Sequence, residues 1–222
     1  MINKLTDLSF EDWILFVFCW SENGAGSIGG NAWQTDEYWA ASPAIVVNYL
    51  TQLFEQTVTV LADYSDGEIA QGLWDIAGEA EYAAALTATS VPLSDRCRCI
   101  DALTILFREL FAVRCSPHLG HRSETGESPL NTTCYMWWDL FAINPVPEER
   151  DILLAAALRS QTAILHLPSI ACQEAALHGL GHYWEADAAA IPTIIDDWLQ
   201  EHPDLRPDLR NYALSVRGGC VL

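Results

Sequence analysis

Helix-start signals recur along this sequence, and they constrain its fold more than any other feature. Ser9 precedes Phe10, Glu11 and Asp12, a capping hydroxyl followed by acids that suit the positive end of a helix. Ser42-Pro43 joins a cap to the proline favoured in a first turn. Ser65-Asp66-Gly67-Glu68 is a capping box. Ser94 precedes another long periodic stretch, and Pro145-Val146-Pro147, Pro168-Ser169 and His202-Pro203-Asp204 separate the stretches that follow. Behind these signals the apolar residues recur at helical spacing. Trp13, Phe16, Val17 and Trp20 form one face. Val46, Tyr49, Leu50, Leu53, Phe54, Val58 and Leu61 predict a helix from Ala44 to Tyr64. Cys99, Leu103, Leu106, Phe107 and Leu110 predict another from Asp95 to Val113. No run of period-two alternation carries turn chemistry, so no sheet is expected. The expected class is all-α, a helical bundle or solenoid of antiparallel helix pairs, with residues 1–222 as one domain.

The chain has 222 residues and half of them are hydrophobic, enough for one good core. The longest apolar run, Trp13 to Trp20, falls short of the roughly 18 residues that span a bilayer. Glu11 and Asp12 precede it where a signal peptide has basic residues. A cytoplasmic protein that binds no membrane is expected. The seven cysteines agree: their number is odd, their spacings are irregular, and several lie inside apolar helical patterns, as free thiols in a reducing compartment do.

Charge is the most unusual bulk property. The formal net charge is −19, from 30 acidic and 11 basic residues. Residues 1–95 hold 14 acids against the single base Lys4, a net −13. No lysine or arginine occurs between Lys4 and Arg96. Such a field opposes nucleic acid and anionic membranes and favours basic partners. Solubility alone is the plainer account of the same charge. Within this half, residues 21–42 break the helical pattern with a glycine-rich loop that ends in Trp33, Asp36, Glu37, Tyr38 and Trp39. Aromatics beside acids suit a protein interface. The plainer alternative is that Trp33 and Trp39 fold back and pin the loop to the core.

From residue 148 onward the helices read as antiparallel pairs, 148–166 with 169–185 and 189–201 with 206–217. The segment Glu174-Ala175-Ala176-Leu177-His178-Gly179-Leu180-Gly181 resembles the inner helix of HEAT-type repeats, in which small residues let layers approach closely. The resemblance makes residues 148–222 the most repeat-like part and implies a HEAT-like architecture toward the C-terminus. The chain as a whole resembles a set of uncharacterised bacterial proteins. Leu8-Ser9-Phe10-Glu11-Asp12-Trp13, Ile69-Ala70-Gln71-Gly72-Leu73-Trp74, Cys134-Tyr135-Met136-Trp137-Trp138-Asp139 and the run from Cys172 to His182 carry that likeness. It implies a shared helical fold and no catalytic residues.

The chemistry concentrates at His178 and His182. Four residues apart on a helix, both imidazoles project from one face. This is the spacing of the HExxH zinc motif without its glutamate, because residue 179 is glycine. A third ligand is available in Glu174, one turn earlier, or in Glu185 or Asp187. Against a metal stand Gly179 and Gly181, which weaken the helix by roughly 1 kcal/mol each relative to alanine and so point to close packing. Asp139, an acid beside the tryptophans Trp137 and Trp138, is open to a functional reading, but the commoner one is a helix-surface acid flanked by core residues. Cys115, His118 and His121 stand close in sequence but lack a fourth ligand for a closed zinc site.

No phosphate-binding glycine loop and no GxSxG elbow is present. No catalytic residue and no cofactor is assigned. The expected function is that of an acidic protein-binding scaffold, an inhibitor or immunity-type protein that neutralises a basic bacterial toxin or effector. Its contact residues are Trp33, Asp36, Glu37, Tyr38 and Trp39. The alternatives are a metal-dependent enzyme centred on His178 and His182, with Glu174, and a structural adaptor.

Overall fold

The computed structural model describes residues 3–19, 37–122, 124–141, 143 and 145–221. The class is all-α, as expected, in the form of a helical bundle. Several caps form as their sequences dictate. In α1 (Phe10–Phe18) the Ser9 hydroxyl accepts from the Asp12 amide at 3.1 Å. In α2 (Pro43–Glu55) Ser42 caps and Pro43 opens the first turn. A short α3 (Thr57–Val60) follows. At α4 (Asp66–Gly78) both halves of the capping box are made: the Glu68 amide donates to Ser65 Oγ at 3.3 Å, and the Ser65 amide donates to Glu68 Oε2 at 2.8 Å.

After α5 (Ala80–Ala85), α6 (Leu93–Leu106) runs through a π-helical turn, Phe107–Phe111, into α7 (Ala112–Arg114). Ser128 caps α8 (Pro129–Leu140). A short 3-10 turn leads into α9 (Arg150–Leu165), and Ser169 caps α10 (Ile170–His182). The chain then forms α11 (Ala190–Glu201) and α12 (Pro207–Arg217).

Three expectations are corrected. The described residues include a sheet, two three-residue strands paired in parallel: β1 (Asn3–Leu5) and β2 (Glu37–Trp39), in the register Asn3↔Glu37, Lys4↔Tyr38, Leu5↔Trp39. Three residues are too few to display an alternating pattern. The helix from Ala44 to Tyr64 breaks at Gln56, where φ is −119°, and Val58 beyond the break is 56% exposed rather than on the buried face. Ser94 caps nothing: α6 already begins at Leu93 behind Pro92, and the Ser94 hydroxyl bonds Asp95 instead.

Helix α10 is the axis of the bundle. Every residue from Ala171 to Gly181 is buried, and α8, α9 and α12 pack around it. The burial includes three polar side chains, Gln173, Glu174 and His178, each of which finds a hydrogen-bond partner. Two glycines make the approach possible. A Cβ on Gly179 would stand 2.6 Å from Trp138 Cγ and 2.7 Å from Gln161 Nε2, and one on Gly181 would meet Val221 and Val216. The close packing inferred from these glycines is therefore present, against α8 and α9 on one side and the C-terminal segment on the other.

The arginines are used inside the fold. Arg96, 1% exposed, holds Glu149 through two hydrogen bonds of 2.7 and 2.8 Å. Arg98 pairs with Glu55, Arg108 with Glu109, Arg114 with Asp66 and Arg122 with Asp208. Arg159 pairs with Asp101, Arg206 with Glu124 and Arg217 with Asp196, while Arg210 donates to the carbonyls of His202 and Pro203. Arg150 alone has no side-chain partner among the described residues. No described helix is long and apolar enough to cross a membrane.

Candidate metal centre

Helices α8 and α10 lie side by side, and each offers the other a pair of residues four apart. On α8 these are Tyr135 and Asp139; on α10 they are His178 and His182. Residues at that spacing share a helix face, so the two pairs meet across the contact. The Tyr135 ring packs against His178 with centroids 4.4 Å apart. Asp139 Oδ1 lies 3.3 Å from His182 Nε2, and that atom lies 3.0 Å from His178 Nε2. The ligand-capable atoms of Asp139, His178 and His182 all fall within 4.8 Å of one another.

The two short separations, 3.0 and 3.3 Å, suit a cation. Bonds of about 2.0–2.2 Å, at angles between square and tetrahedral, hold two ligand atoms roughly 3.0–3.5 Å apart. Two imidazole nitrogens facing each other at 3.0 Å need a proton or a cation between them in any case.

The surroundings prepare His178 as a ligand. It is 4% exposed. Burial, reinforced by the neighbouring His182, lowers its pKa to about 4, so it is neutral at physiological pH. Its Nδ1 lies 2.9 Å from the Tyr212 hydroxyl on α12. Burial and the adjacent Tyr135 push the Tyr212 pKa well upward, so that hydroxyl keeps its proton. With Nδ1–H donating to the hydroxyl oxygen, the Nε2 lone pair faces His182 and Asp139. Metal-bound histidines are commonly fixed in this way through their second nitrogen. His182 and Asp139 are partly open to solvent, with side chains 35% and 43% exposed.

Glu174, the carboxylate that sequence spacing offered as third ligand, turns elsewhere. It is fully buried, accepts from the Gly120 amide at 2.7 Å and the His121 amide at 3.3 Å, and pairs with the His121 ring. Burial raises its pKa despite these bonds. It anchors the Leu119–Arg122 loop to α10, and His121 then stacks on Tyr212 with centroids 5.0 Å apart. Asp187 accepts from the Ala190 amide at 2.9 Å, at the first residue of α11. The cluster Cys115, His118 and His121 does not assemble: His118 bonds Ser116, and His121 bonds Glu174.

The aromatic residues assigned to a partner divide. Trp33 and Asp36 lie outside the described residues. Glu37 and Tyr38 contribute backbone to β2. Trp39 packs into an aromatic cluster, stacked on Tyr49 with centroids 5.6 Å apart and 3° between planes, and beside Trp13 and Tyr82. Trp39 thus takes the core-pinning role that was its plainer alternative.

Sequence reasoning missed Asp139 as the partner of the histidines, although a signal existed. Tyr135 and Asp139 repeat the four-residue spacing of His178 and His182 on another aromatic-rich helix. Tyr212 and Arg150 carried no comparable signal. A groove of about 500 Å³ opens beside the centre; His182 forms part of its wall, with Ile143, Arg150, Leu153, Leu154 and Glu185 among its other lining residues. Comparison with protein families, with curated proteins and with solved structures finds no match for this chain.

Proposed function

We propose that the chain binds a divalent transition-metal ion through Asp139, His178 and His182 and acts as a metal-dependent enzyme at the adjoining groove. The convergence of the two i, i+4 pairs on α8 and α10 carries this reading. Two imidazoles and one carboxylate suit zinc or iron. Three protein ligands, two of them partly exposed, leave coordination positions for water or substrate, as in catalytic rather than structural sites. Such an ion would polarise a substrate oxygen or activate a bound water. The test is metal analysis of protein purified without an affinity tag. One equivalent of zinc or iron is expected, lost in His182→Ala and Asp139→Ala variants that remain folded. A metal-free wild type, after incubation with either ion and gel filtration, would refute the reading.

A second reading keeps the acidic surface as a docking face for a basic protein, as in an inhibitor or immunity-type protein of a bacterial toxin system, with residues 148–222 as its HEAT-like part. One observation favours it: Asp7, Glu11, Asp12, Asp63 and Glu81 are exposed and have no ion pair among the described residues. Seven free thiols agree with action in the cytoplasm. Reversing Asp36 and Glu37 to lysine should then slow association with the basic partner in low salt. An unchanged on-rate argues against it.

A further inference from the structure

The groove beside the candidate metal centre contains the one arginine whose side chain has no partner among the described residues. Nine of the ten arginines bond an acid or a backbone carbonyl, as an excess of 30 acids over 11 bases favours. Arg150 has Glu148, Glu149 and Asp151 as chain neighbours, yet its side chain bonds none of the described residues. It is exposed, it lines the groove, and it begins the sixteen-residue α9, so the positive end of that helix adds to its own charge. A guanidinium offers a planar fork of donors that matches a carboxylate in two hydrogen bonds.

The rest of the groove sets limits on what Arg150 holds. Ile143, Pro145, Leu153, Leu154 and Ala186 give it apolar walls. Its volume of about 500 Å³ lies within the range of small-molecule sites. Glu185 also lines it, and the net field is strongly negative, so molecules with several negative charges are disfavoured. A single charge with an apolar body satisfies all three conditions. His182, one of the three candidate ligands, stands in the same wall and is the residue through which groove and centre adjoin.

We infer that this groove is the substrate site of the metal centre and takes a small organic monocarboxylate with an apolar body, its carboxylate held by Arg150. The inference rests on the metal reading for the chemistry that follows binding, and on Arg150 and the groove for recognition.

Calorimetric titration with hexanoate, and with the uncharged analogue hexanol, tests it on wild type and on Arg150→Gln. Arg150 is exposed and bonds none of the described residues, so the variant should fold and retain its metal. Hexanoate should bind wild type, bind Arg150→Gln at least tenfold more weakly, and bind at least tenfold more tightly than hexanol. No binding to wild type, or equal affinity for the variant, overturns the assignment. The cobalt(II)-loaded protein provides the second arm. Hexanoate should perturb its visible absorption; binding that depends on Arg150 and leaves that spectrum unchanged overturns the link between groove and metal. Failure of the metal reading appears separately, as absence of metal from a wild type whose Arg150-dependent hexanoate binding persists.

Discussion

Two alanine substitutions in one helix should change stability in opposite directions. At Gly179 a new Cβ would sit 2.6 and 2.8 Å from Trp138 Cγ and Cδ1 and 2.7 Å from Gln161 Nε2. Ordinary carbon contacts lie at about 3.5–4.0 Å, so the overlap approaches 1 Å on two sides. Neither neighbour has room to retreat. Trp138 is 3% exposed and stacks on Phe107 with centroids 5.9 Å apart, and Gln161 is fully buried. Overpacking of this kind costs about 1–3 kcal/mol, while alanine recovers roughly 1 kcal/mol of helix propensity over glycine. The net expectation for Gly179→Ala is a loss of about 1–2 kcal/mol, the overlap placing it toward the costly end of that range. At Gly181 the obstacle is the tip of Val221, close to the chain end and only half-buried. That side chain can swing away, so Gly181→Ala should keep most of the propensity gain and stabilise by about 0.5–1 kcal/mol. Urea denaturation followed by far-UV circular dichroism measures both. In a chain of this size each kcal/mol moves the melting temperature by about 2–4 °C. A Gly179→Ala variant as stable as wild type, or two variants that shift alike, would refute the packing argument.

Three further expectations follow from named contacts. Tyr212→Phe removes the hydroxyl that fixes His178 through Nδ1 and should weaken metal affinity by about 10–100-fold without unfolding the chain, as read by competition with a chelating dye. Gln161 is buried with neither amide atom bonded among the described residues, so Gln161→Met should raise the denaturation midpoint by about 1 kcal/mol equivalent; a lower midpoint would show that the amide is satisfied. Asp75, held by Gln71 at 2.9 Å, has its pKa raised to about 6 by burial, so its folded state holds a proton more firmly than the unfolded chain. Its stabilising contribution is complete below the unfolded value and is lost as pH rises through about 6. Asp75→Asn should therefore match wild type near pH 4 and exceed it at pH 7 by about 1 kcal/mol, after reduction for partial solvent screening; equal stabilities at pH 7 would contradict the burial argument.

What could be read from the sequence was what local chemistry decides. The capping box at Ser65 and Glu68, the serine caps at positions 9 and 42, and the apolar faces of α1 and α6 follow from residues within one or two turns of each other. The break at Gln56 carries no glycine or proline, so nothing local announces it. The β1–β2 pairing joins residues more than thirty positions apart, over a span too short to show a period. At the site, the spacing of His178 and His182 was visible, and so was the cost of the glycines between them. Which carboxylate joins the histidines depends on how α8 lies against α10, a tertiary fact. Spacing along one helix proposed Glu174; packing between two helices presents Asp139. That Arg150 has no partner among the described residues was hidden for the same reason, because it stands out only against the partners that nine other arginines found.

The burial of α10 bears on how durable the site is. Amides in surface helices exchange with solvent through local fraying, but a helix enclosed by three others can open only when its neighbours part. The backbone hydrogens of Ala175 to His178 should thus exchange at the rate set by global unfolding. His178 rides on that enclosed stretch, whereas His182 is the exposed last residue of the helix, where fraying begins. Loosening at the C-terminal turn of α10 is thus expected to reach His182 before His178, and well before the fold itself is lost.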